Sequence, residues 1–351
     1  MSAVTVPPKP VRRTRRLPAY APWAILGGSL SVGVLLSLLS GELTLAGSFG
    51  FGALVYVVAI TVISQVVEGP RWAKDRLATT LVTAAFTLAA IPLVSLVFLV
   101  LRLGLTRFSW EFLNDDMVGI YGSMVEGGAF HAIIGTLFIT GLASLVAIPL
   151  GILTAIYLVE YASPGPLKRS ITVLVDVMTG IPSIVAGLFA ATLFMVVMGT
   201  GYKAGVIGAV ALALLMTPVV VRSCEEMLRL VPNELREASY ALGVPKWLTV
   251  VKVVLRTAIA GITTGVMIAI ARVIGETAPL LITVGLVAGV NWNVWDGRIT
   301  TLPVYVYRQY AQGGASVDRA WAGALTLIII VMLLNLVARL VSRFFSPKGA
   351  R

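Results

Sequence analysis

The chain has 351 residues, of which 58% are hydrophobic and 12% charged, with a formal net charge of +11 and a mean hydropathy of +0.94. Soluble domains carry about 25% charged residues, whereas several apolar runs here exceed the roughly 20 residues that cross a bilayer as a helix. The single cysteine, Cys224, excludes an intrachain disulfide, and no basic stripe with interleaved aromatic residues indicates nucleic-acid binding. The composition predicts an all-α, polytopic membrane helix bundle.

Residues 1–19 form a tail rich in proline and arginine, which is predicted to be disordered and cytoplasmic. A basic tail before an apolar run also resembles a secretory signal peptide, and Arg12-Arg13 resembles a twin-arginine signal. The run from Ala19 to Ser40 is longer than the apolar region of a signal peptide, and no clear cleavage site follows it. A retained first span is therefore predicted.

Eight membrane-spanning helices are predicted, at residues 20–40, 43–67, 80–103, 130–158, 171–198, 204–221, 259–288 and 320–343. Gly41 and Glu42 alone separate the first two spans, which predicts a tight helical hairpin. Eight spans place both termini on one side, and 20 of the 27 lysine and arginine residues fall on that side against six on the other. Because basic residues accumulate in cytoplasmic loops, both termini are predicted to be cytoplasmic.

Proline falls inside five consecutive predicted spans, at Pro92, Pro149, Pro182, Pro218 and Pro279. Each removes a backbone donor and can bend its helix, and a bent helix in lipid needs polar neighbours or a cavity. Proline is also common in membrane helices generally. The series therefore favours a bundle around a central path without requiring one.

Two loops on the predicted outer side have a distinctive composition. Residues 104–129 carry four acidic side chains and are predicted to be partly ordered. Residues 289–319 carry five large aromatic side chains, Trp292, Trp295, Tyr305, Tyr307 and Tyr310. These aromatic residues fit either a belt at the membrane interface or a docking surface for an external protein.

A charged stretch from Arg222 to Arg256, with six basic and four acidic residues, interrupts the apolar pattern. Asn233 is predicted to cap a short helix, Glu234–Leu242, with Gly243 just beyond its end. At helical spacing one face of this helix carries Leu235, Ala238, Ser239 and Leu242. That face can dock in a groove of another protein or pack on the inner ends of this chain's own spans.

The run Glu237-Ala238-Ser239, followed by Gly243, resembles the EAA loop of ABC importer permeases, in which E-A-A precedes three residues and a glycine. Ser239 replaces the second alanine of that pattern, and Arg256 replaces a proline further on. In that family the loop, here residues 222–258, forms a coupling helix that sits in a cleft of the ATP-hydrolysing subunit. The resemblance implies that the coupling residues are Leu235, Glu237, Ala238, Ser239, Leu242 and Gly243.

A closer resemblance, over roughly residues 130–345, is to the PstA-type permeases of phosphate importers. It rests on the runs MLRLVPNELREASYALGVPKW and IAIARVIGETAPLL, and on the upstream runs IYLVEYA, DVMTGIPSIVAGLF and PVVVRSCEEM. It implies an ABC importer permease fold with a six-span core at residues 80–345. The additional hairpin and loop at residues 20–79 and the tails at 1–19 and 346–351 are not explained by it.

The resemblance also implies partners at the inner membrane of a bacterial or archaeal cell. These are a PstC-like second permease, a PstB-like ATPase dimer that uses ATP, and a PstS-like phosphate-binding protein on the outer side. The chain itself has no G-x-x-x-x-G-K-[ST] phosphate loop, no cysteine–histidine cluster and no plausible nucleophile–base pair. It is therefore predicted to be a transporter subunit and not an enzyme, with no cofactor or metal of its own.

Charged residues within predicted spans are candidates for a transport path. Arg272 and Glu276 lie four residues apart in the seventh span, where they can form an ion pair on one helical stripe. A guanidinium matches the oxygens of phosphate, and Glu276 would hold Arg272 and tune its field. The alternative is a structural ion pair that braces a bend.

Two other residues, Asp176 and Arg222, are weaker candidates. Asp176 lies near the Gly180-Ile181-Pro182 break, where it can pair with a cation or lie at the inner interface. Arg222 ends the sixth span and can face an anion path or snorkel to the cytoplasmic surface. His131, the single histidine, is predicted to be interfacial filler.

Three rival functions remain open. The loop does not distinguish phosphate from another oxyanion such as molybdate or sulfate. An ion-coupled secondary transporter should show repeat-related broken helices, and the sequence has no convincing internal repeat. The third is a structural membrane subunit, in which Arg272 and Glu276 are only a brace. Dependence of transport on a separate ATPase is the main discriminator.

Overall fold

The computed structural model describes residues 16–40, 44–121 and 124–345, with side chains up to residue 340. Within these ranges every regular element is a helix, which confirms the all-α prediction. In this part of the chain seven helices are long and apolar enough to span a membrane, and a bent helix pair makes an eighth span if it counts as one. The chain divides into two compact units, Met1–Val97 and Phe98–Arg351.

The first unit begins with two helices, α1 (Ala21–Leu39) and α2 (Leu45–Val67). They pack through small residues, since a Cβ on Gly33 would lie 2.4 Å from the carbonyl oxygen of Ser48. Such close backbone approach is typical of paired membrane helices. The predicted hairpin is thus a packed helix pair, and its Gly41-Glu42 connection lies outside the described residues.

Helix α3 (Pro70–Gly104) has 35 residues and is about 52 Å long. It begins at Pro70 and not at residue 80, so the basic segment predicted as a loop at residues 68–79 is mostly helical. The loop prediction for residues 68–79 failed because charged side chains indicate that a segment contacts water, and they do not indicate where a helix begins or ends. The helix passes without a break through the predicted domain boundary at residue 79, which therefore stays a prediction.

The described residues of the second unit contain eleven further helices. They are α4 (Trp110–Asn114), α5 (Phe130–Ile156), α6 (Pro166–Thr179), α7 (Ser183–Met198), α8 (Gly205–Arg229), α9 (Asn233–Ala241), α10 (Lys246–Thr249), α11 (Leu255–Val273), α12 (Ala278–Thr283), α13 (Leu302–Gln312) and α14 (Ser316–Phe345). A π-helical turn, Tyr157–Tyr161, continues α5, and a second, Val250–Val254, joins α10 to α11.

Helices α5 and α8 form the centre of this unit and run parallel to each other. A Cβ on Gly208 of α8 would lie 3.5 Å from Ile139 of α5, and a Cβ on Gly151 of α5 would lie 2.7 Å from Val220 of α8. The later residue of α5 thus contacts the later residue of α8, as expected for parallel helices. The core around them is apolar and includes Ile139, Ala143, Ala147, Leu212, Met216, Val220 and Ala269.

Helix α11 runs antiparallel to α8, because Gly261 approaches Met227 while Gly265 approaches Ser223. Since α8 is about 37 Å long, the unit has two distinct ends. At the α13 end, α13 packs on the start of α5. At the α9 end, α9 packs on the C-terminal end of α8.

Two predicted spans are broken. The span predicted at 171–198 is the pair α6 and α7, bent by 107° at the predicted Gly180-Ile181-Pro182 break. The span predicted at 259–288 begins earlier, in α10, and ends at Val273 before the short α12. Pro182 and Pro279 contribute to these breaks, because proline removes a helix donor. Pro182 also disfavours a helical conformation in Ile181 before it, whereas Pro279 lies in the first turn of α12.

The stretch 222–258, predicted as a loop between spans, is also mostly helical. It contains the last turns of α8, all of α9 and α10, and the start of α11. Helix α8 continues to Arg229 and does not end at residue 221. The only non-helical segments in this stretch are residues 230–232 and 242–245.

The loops at the α13 end are partly ordered, as predicted for residues 104–129, which contain α4. Tyr305 is buried and packs edge-on against buried His131, with 5.6 Å between ring centroids. Placing Tyr305 among the surface aromatics was therefore wrong, because α13 folds back over the start of α5. His131 lies near the start of α5, and its position relative to the membrane interface stays a prediction. The other aromatic residues of the loop are exposed: Trp292, Trp295, Tyr307 and Tyr310.

Candidate functional site

A cavity of about 260 Å³ opens between α6, α7, α8 and the break after α11. Its lining residues are Met178, Thr179, Ile181, Pro182, Ser183, Leu215, Pro218, Val219, Arg272 and Glu276. Because Pro218 lies near the middle of α8, the cavity lies about halfway between the two ends of the unit. We call it the mid-bundle cavity. Two of the four predicted path residues, Arg272 and Glu276, line it.

Both helix breaks meet at this cavity. Helix α7 packs so closely on α12 that a Cβ on Gly187 would lie 2.6 Å from Pro279 Cα. The N-terminus of α7 therefore lies beside the break that follows α11. Interrupted helices at membrane depth are tolerated where their free backbone groups face protein or a water-filled cavity, and the N-terminus of α7 adds the positive end of its dipole.

Arg272 and Glu276 do not form the predicted ion pair. Arg272 lies in the last turn of α11, and because the helix ends at Val273, Glu276 is not one turn further along it. Neither side chain makes a hydrogen bond or ion pair with any described residue. Arg272 is exposed in the isolated chain, and Glu276 is half-buried. Because Arg272 is unpaired, its guanidinium is free to bind an anion in the cavity. The alternative role, a structural brace for the bend, would require the ion pair between Arg272 and Glu276 to be formed.

Arg222 and Asp176 lie nearer the α9 end and form an ion pair with each other, as one interpretation of Asp176 predicted. Arg222 also donates to Glu225 at 2.8 Å, and Glu225 accepts from Arg229 as well. Neither Arg222 nor Asp176 lines the mid-bundle cavity. Sequence reasoning missed Glu225, although the R-x-x-E-x-x-x-R spacing on one helix is a signal for such a cluster.

Helix α9 spans Asn233–Ala241, one residue earlier at each end than predicted. Asn233 is therefore the first helical residue and not the N-cap, and its side-chain oxygen accepts from Arg236 Nη1 at 3.2 Å. Gly243 follows the C-cap with a φ of +75°, which confirms its predicted place beyond the helix end.

The predicted docking face of α9 is divided. Leu235, Ala238 and Leu242 of this face are exposed, and Leu242 is 83% exposed. Glu237, another residue implied in coupling, lies outside this face and is also exposed. Ser239 is instead buried, with its hydroxyl 2.8 Å from Thr249 Oγ1 of α10. The face therefore divides between the two predicted alternatives, because Ser239 packs on this chain while Leu235, Ala238 and Leu242 stay exposed.

A buried ion pair that sequence reasoning missed also holds α9 in place. Arg236 Nη2 donates to Glu160 Oε1 at 2.7 Å and to the carbonyl oxygen of Leu228 at 3.0 Å. Arg236 Nη1 donates to the carbonyl oxygen of Val231 at 2.6 Å. Glu160 lies in the π-helical turn after α5, so α9 is tied to the ends of α5 and α8 as well as to α10.

The chain matches the family described as binding-protein-dependent transport system inner membrane component over residues 147–350. It is 45% identical over 285 residues to the phosphate transport system permease protein PstA 1 of Mycobacterium tuberculosis, covering 80% of this chain and 91% of that protein. It is 46% identical to the PstA protein of Mycobacterium leprae, and the alignment covers 76% of this chain and 88% of that protein. It is 41% identical to the PstA protein of Haemophilus influenzae, and the alignment covers 64% of this chain and 77% of that protein.

Two solved structures have a similar fold. One is a bacterial ABC transporter involved in the import of the acidic polysaccharide alginate. The alignment covers 79% of this chain and 100% of the transporter chain, with a TM-score of 0.55 at 17% identity. The other is a bacterial alginate ABC transporter in complex with an alginate pentasaccharide-bound periplasmic protein. The alignment covers 79% of this chain and 97% of the transporter chain, with a TM-score of 0.55 at 15% identity. At these identities the likeness shows the fold alone, and it confirms the predicted permease fold.

Proposed function

Because the chain belongs to the family of binding-protein-dependent transport system inner membrane components, we propose that it is the permease subunit of an ATP-driven importer of inorganic phosphate. The names of its PstA relatives support phosphate as the cargo. The observation that carries the proposal is Arg272, an exposed and unpaired cation beside a cavity at the middle of a membrane helix bundle.

An arginine exposed at this depth is too costly to face lipid. The side of the bundle that presents Arg272 must therefore face a water-filled path or a second protein. A PstC-like permease placed against this side would enclose the path between the two subunits.

Phosphate would bind Arg272 through its oxygens, because it carries one to two negative charges near neutral pH and a guanidinium offers a planar fork of donors. The N-terminus of α7 adds a favourable field for an anion in the same cavity. Glu276 would compete with phosphate for Arg272 and so keep binding weak enough for release. The Arg222–Asp176 pair would be a second charged point on the path, nearer the α9 end.

Coupling to a PstB-like ATPase dimer would run through α9. Leu235, Glu237, Ala238 and Leu242 would lie in a cleft of the ATPase, while Ser239 and Gly243 hold the helix in position. Closure of the ATPase dimer on ATP would move α9, and its contacts with α5, α8 and α10 would carry that movement into the bundle. ATP would be used by the partner alone, and the bundle would alternate between inward and outward access.

The distribution of basic residues supports an orientation with the α9 end and both termini in the cytoplasm. The α13 end would then face outward, where a PstS-like binding protein would release phosphate. The exposed aromatic residues of the loop at this end, such as Trp292 and Trp295, are suited to contact that protein.

Uptake of radiolabelled phosphate by liposomes that contain the purified assembly tests this function. Uptake should require ATP and the binding protein, and excess sulfate or molybdate should not compete. Competition by either oxyanion would reassign the cargo. Uptake driven by an ion gradient in the absence of ATP would contradict an ABC importer.

A further inference from the structure

A second cavity, of about 370 Å³, opens at the α13 end, apart from the mid-bundle cavity. We call it the α13 cavity. Most of its polar lining comes from three helices, α5, α13 and α14, through His131, Tyr305, Arg308, Gln309, Gln312 and Arg319. Tyr121 and Thr300 add two hydroxyl groups from outside these helices. No aspartate or glutamate among the described residues lines it. The cavity therefore combines two guanidinium groups with neutral donors.

Arg319 is 1% exposed, yet it forms no ion pair with any carboxylate of the described chain. It donates instead to neutral oxygens, those of the Gln309 side chain at 3.0 Å, the Ser316 hydroxyl at 2.8 Å, the Glu126 carbonyl at 3.0 Å and the Met124 carbonyl. The carboxylate of Glu126 interacts electrostatically with Arg319 without contacting it, and a buried cation that contacts no counter-charge is costly. An anion in the adjoining cavity would supply that counter-charge.

Other groups around the cavity also have unused hydrogen-bonding capacity. His131 is buried, and its Nδ1 has no hydrogen-bond partner among the described residues. The Tyr305 hydroxyl contacts the sulfur of Met117 at 4.0 Å, which is a weak interaction. Burial raises the pKa of Tyr305 although two guanidinium groups oppose the shift, so its hydroxyl stays protonated and can donate. Arg308 is exposed and makes no hydrogen bond or ion pair with a described residue.

We propose that the α13 cavity binds a small tetrahedral oxyanion, such as inorganic phosphate, at a site separate from Arg272. The identity of the cargo rests on the proposed function, whereas the presence of an anion site rests on the cavity itself. Donors on three helices suit an ion that presents four oxygens in different directions better than a tethered carboxylate with two. The buried Arg319 would provide charge at the inner side, and the exposed Arg308 would provide it at the opening.

Equilibrium binding of radiolabelled phosphate to the assembly purified through this chain, without ATP or binding protein, tests the site. The assembly carries Arg272→Gln, so that the mid-bundle cavity does not contribute. Phosphate binding should persist in this background and weaken about tenfold or more when Arg308→Gln removes a charge-assisted donor. Tyr305→Phe should weaken it several-fold. The matched control, Arg298→Gln, removes an exposed arginine at the same end but outside the cavity and should change nothing.

Absence of saturable phosphate and sulfate binding in the Arg272→Gln assembly would overturn the proposal. Binding that is unchanged by both Arg308→Gln and Tyr305→Phe would overturn it as well. If these variants instead weaken only the association with the binding protein, the cavity accepts an acidic side chain and the oxyanion site is refuted. Saturable sulfate binding in place of phosphate, with the same dependence on both residues, would uphold the site and refute the phosphate cargo.

Discussion

Arg236 of α9 and Glu160 at the end of α5 form an ion pair with 2.7 Å between Nη2 and Oε1, and their side chains are only 13% and 5% exposed. The pair connects the short helix that carries the predicted coupling residues to a long helix of the bundle core. Because Glu160 lies in a π-helical turn, the contact falls where α5 departs from regular α-helical geometry. Such turns occur frequently at functional sites. A displacement of α9 would therefore reach α5 through this pair.

Glu160→Gln should loosen the coupling between ATP hydrolysis and uptake, because it leaves the Arg236 guanidinium buried without its counter-charge. Removing one partner of a buried pair costs about 3–5 kcal/mol, and here the cost should fall at the lower end, since Arg236 keeps two backbone acceptors. ATP hydrolysed per phosphate transported, measured in liposomes at equal assembly content, should rise. The control Glu234→Gln changes an exposed glutamate of α9, the helix of Arg236, and should behave as wild type. Unchanged coupling in both variants would show that other contacts hold α9.

Gly243→Val should weaken association with the ATPase through backbone strain and not through a clash. Nothing lies within 4 Å of a Cβ at this position, whereas its φ of +75° is unfavourable for a residue with a side chain. The left-handed conformation costs about 1–2 kcal/mol for an ordinary residue. Gly243→Asn is the matched control, because asparagine tolerates this conformation. Co-purification of the ATPase should fall for valine and persist for asparagine, and an equal fall for both would indicate that side-chain bulk matters.

The helix ends and contacts around α9 and the mid-bundle cavity differ in how far the sequence predicts them. Gly243 was predictable because a helix end followed by proline favours a glycine with positive φ. Pro279 indicated a bend in the seventh predicted span, but the end of α11 at Val273 was not predictable, because it depends on how α7 packs on α12 at Gly187 and Pro279. The Arg236–Glu160 pair joins residues 76 positions apart, so no local spacing indicates it.

Gly187→Ala should reduce phosphate uptake by disturbing the mid-bundle cavity. The added methyl group would lie 2.6 Å from Pro279 Cα and 3.0 Å from the Pro279 carbonyl oxygen, so α7 would have to move away from α12. Overpacking of this kind costs about 1–3 kcal/mol. Gly141→Ala on α5 meets open space and should be neutral or slightly stabilising. Uptake normalised to assembly content compares the two variants, and full uptake by Gly187→Ala would show that the cavity does not depend on this contact.

If Arg272 binds the transported anion, phosphate uptake should depend on it, and uptake by Arg272→Gln at equal assembly content measures this dependence. Arg256→Gln is the matched control, because it removes an exposed arginine from the same helix but outside the mid-bundle cavity. Uptake should be abolished in Arg272→Gln while assembly persists, and it should be retained in Arg256→Gln. Retained uptake in Arg272→Gln would show that Arg272 does not bind the transported anion, because the anion path would then not depend on the cation at the middle of the bundle.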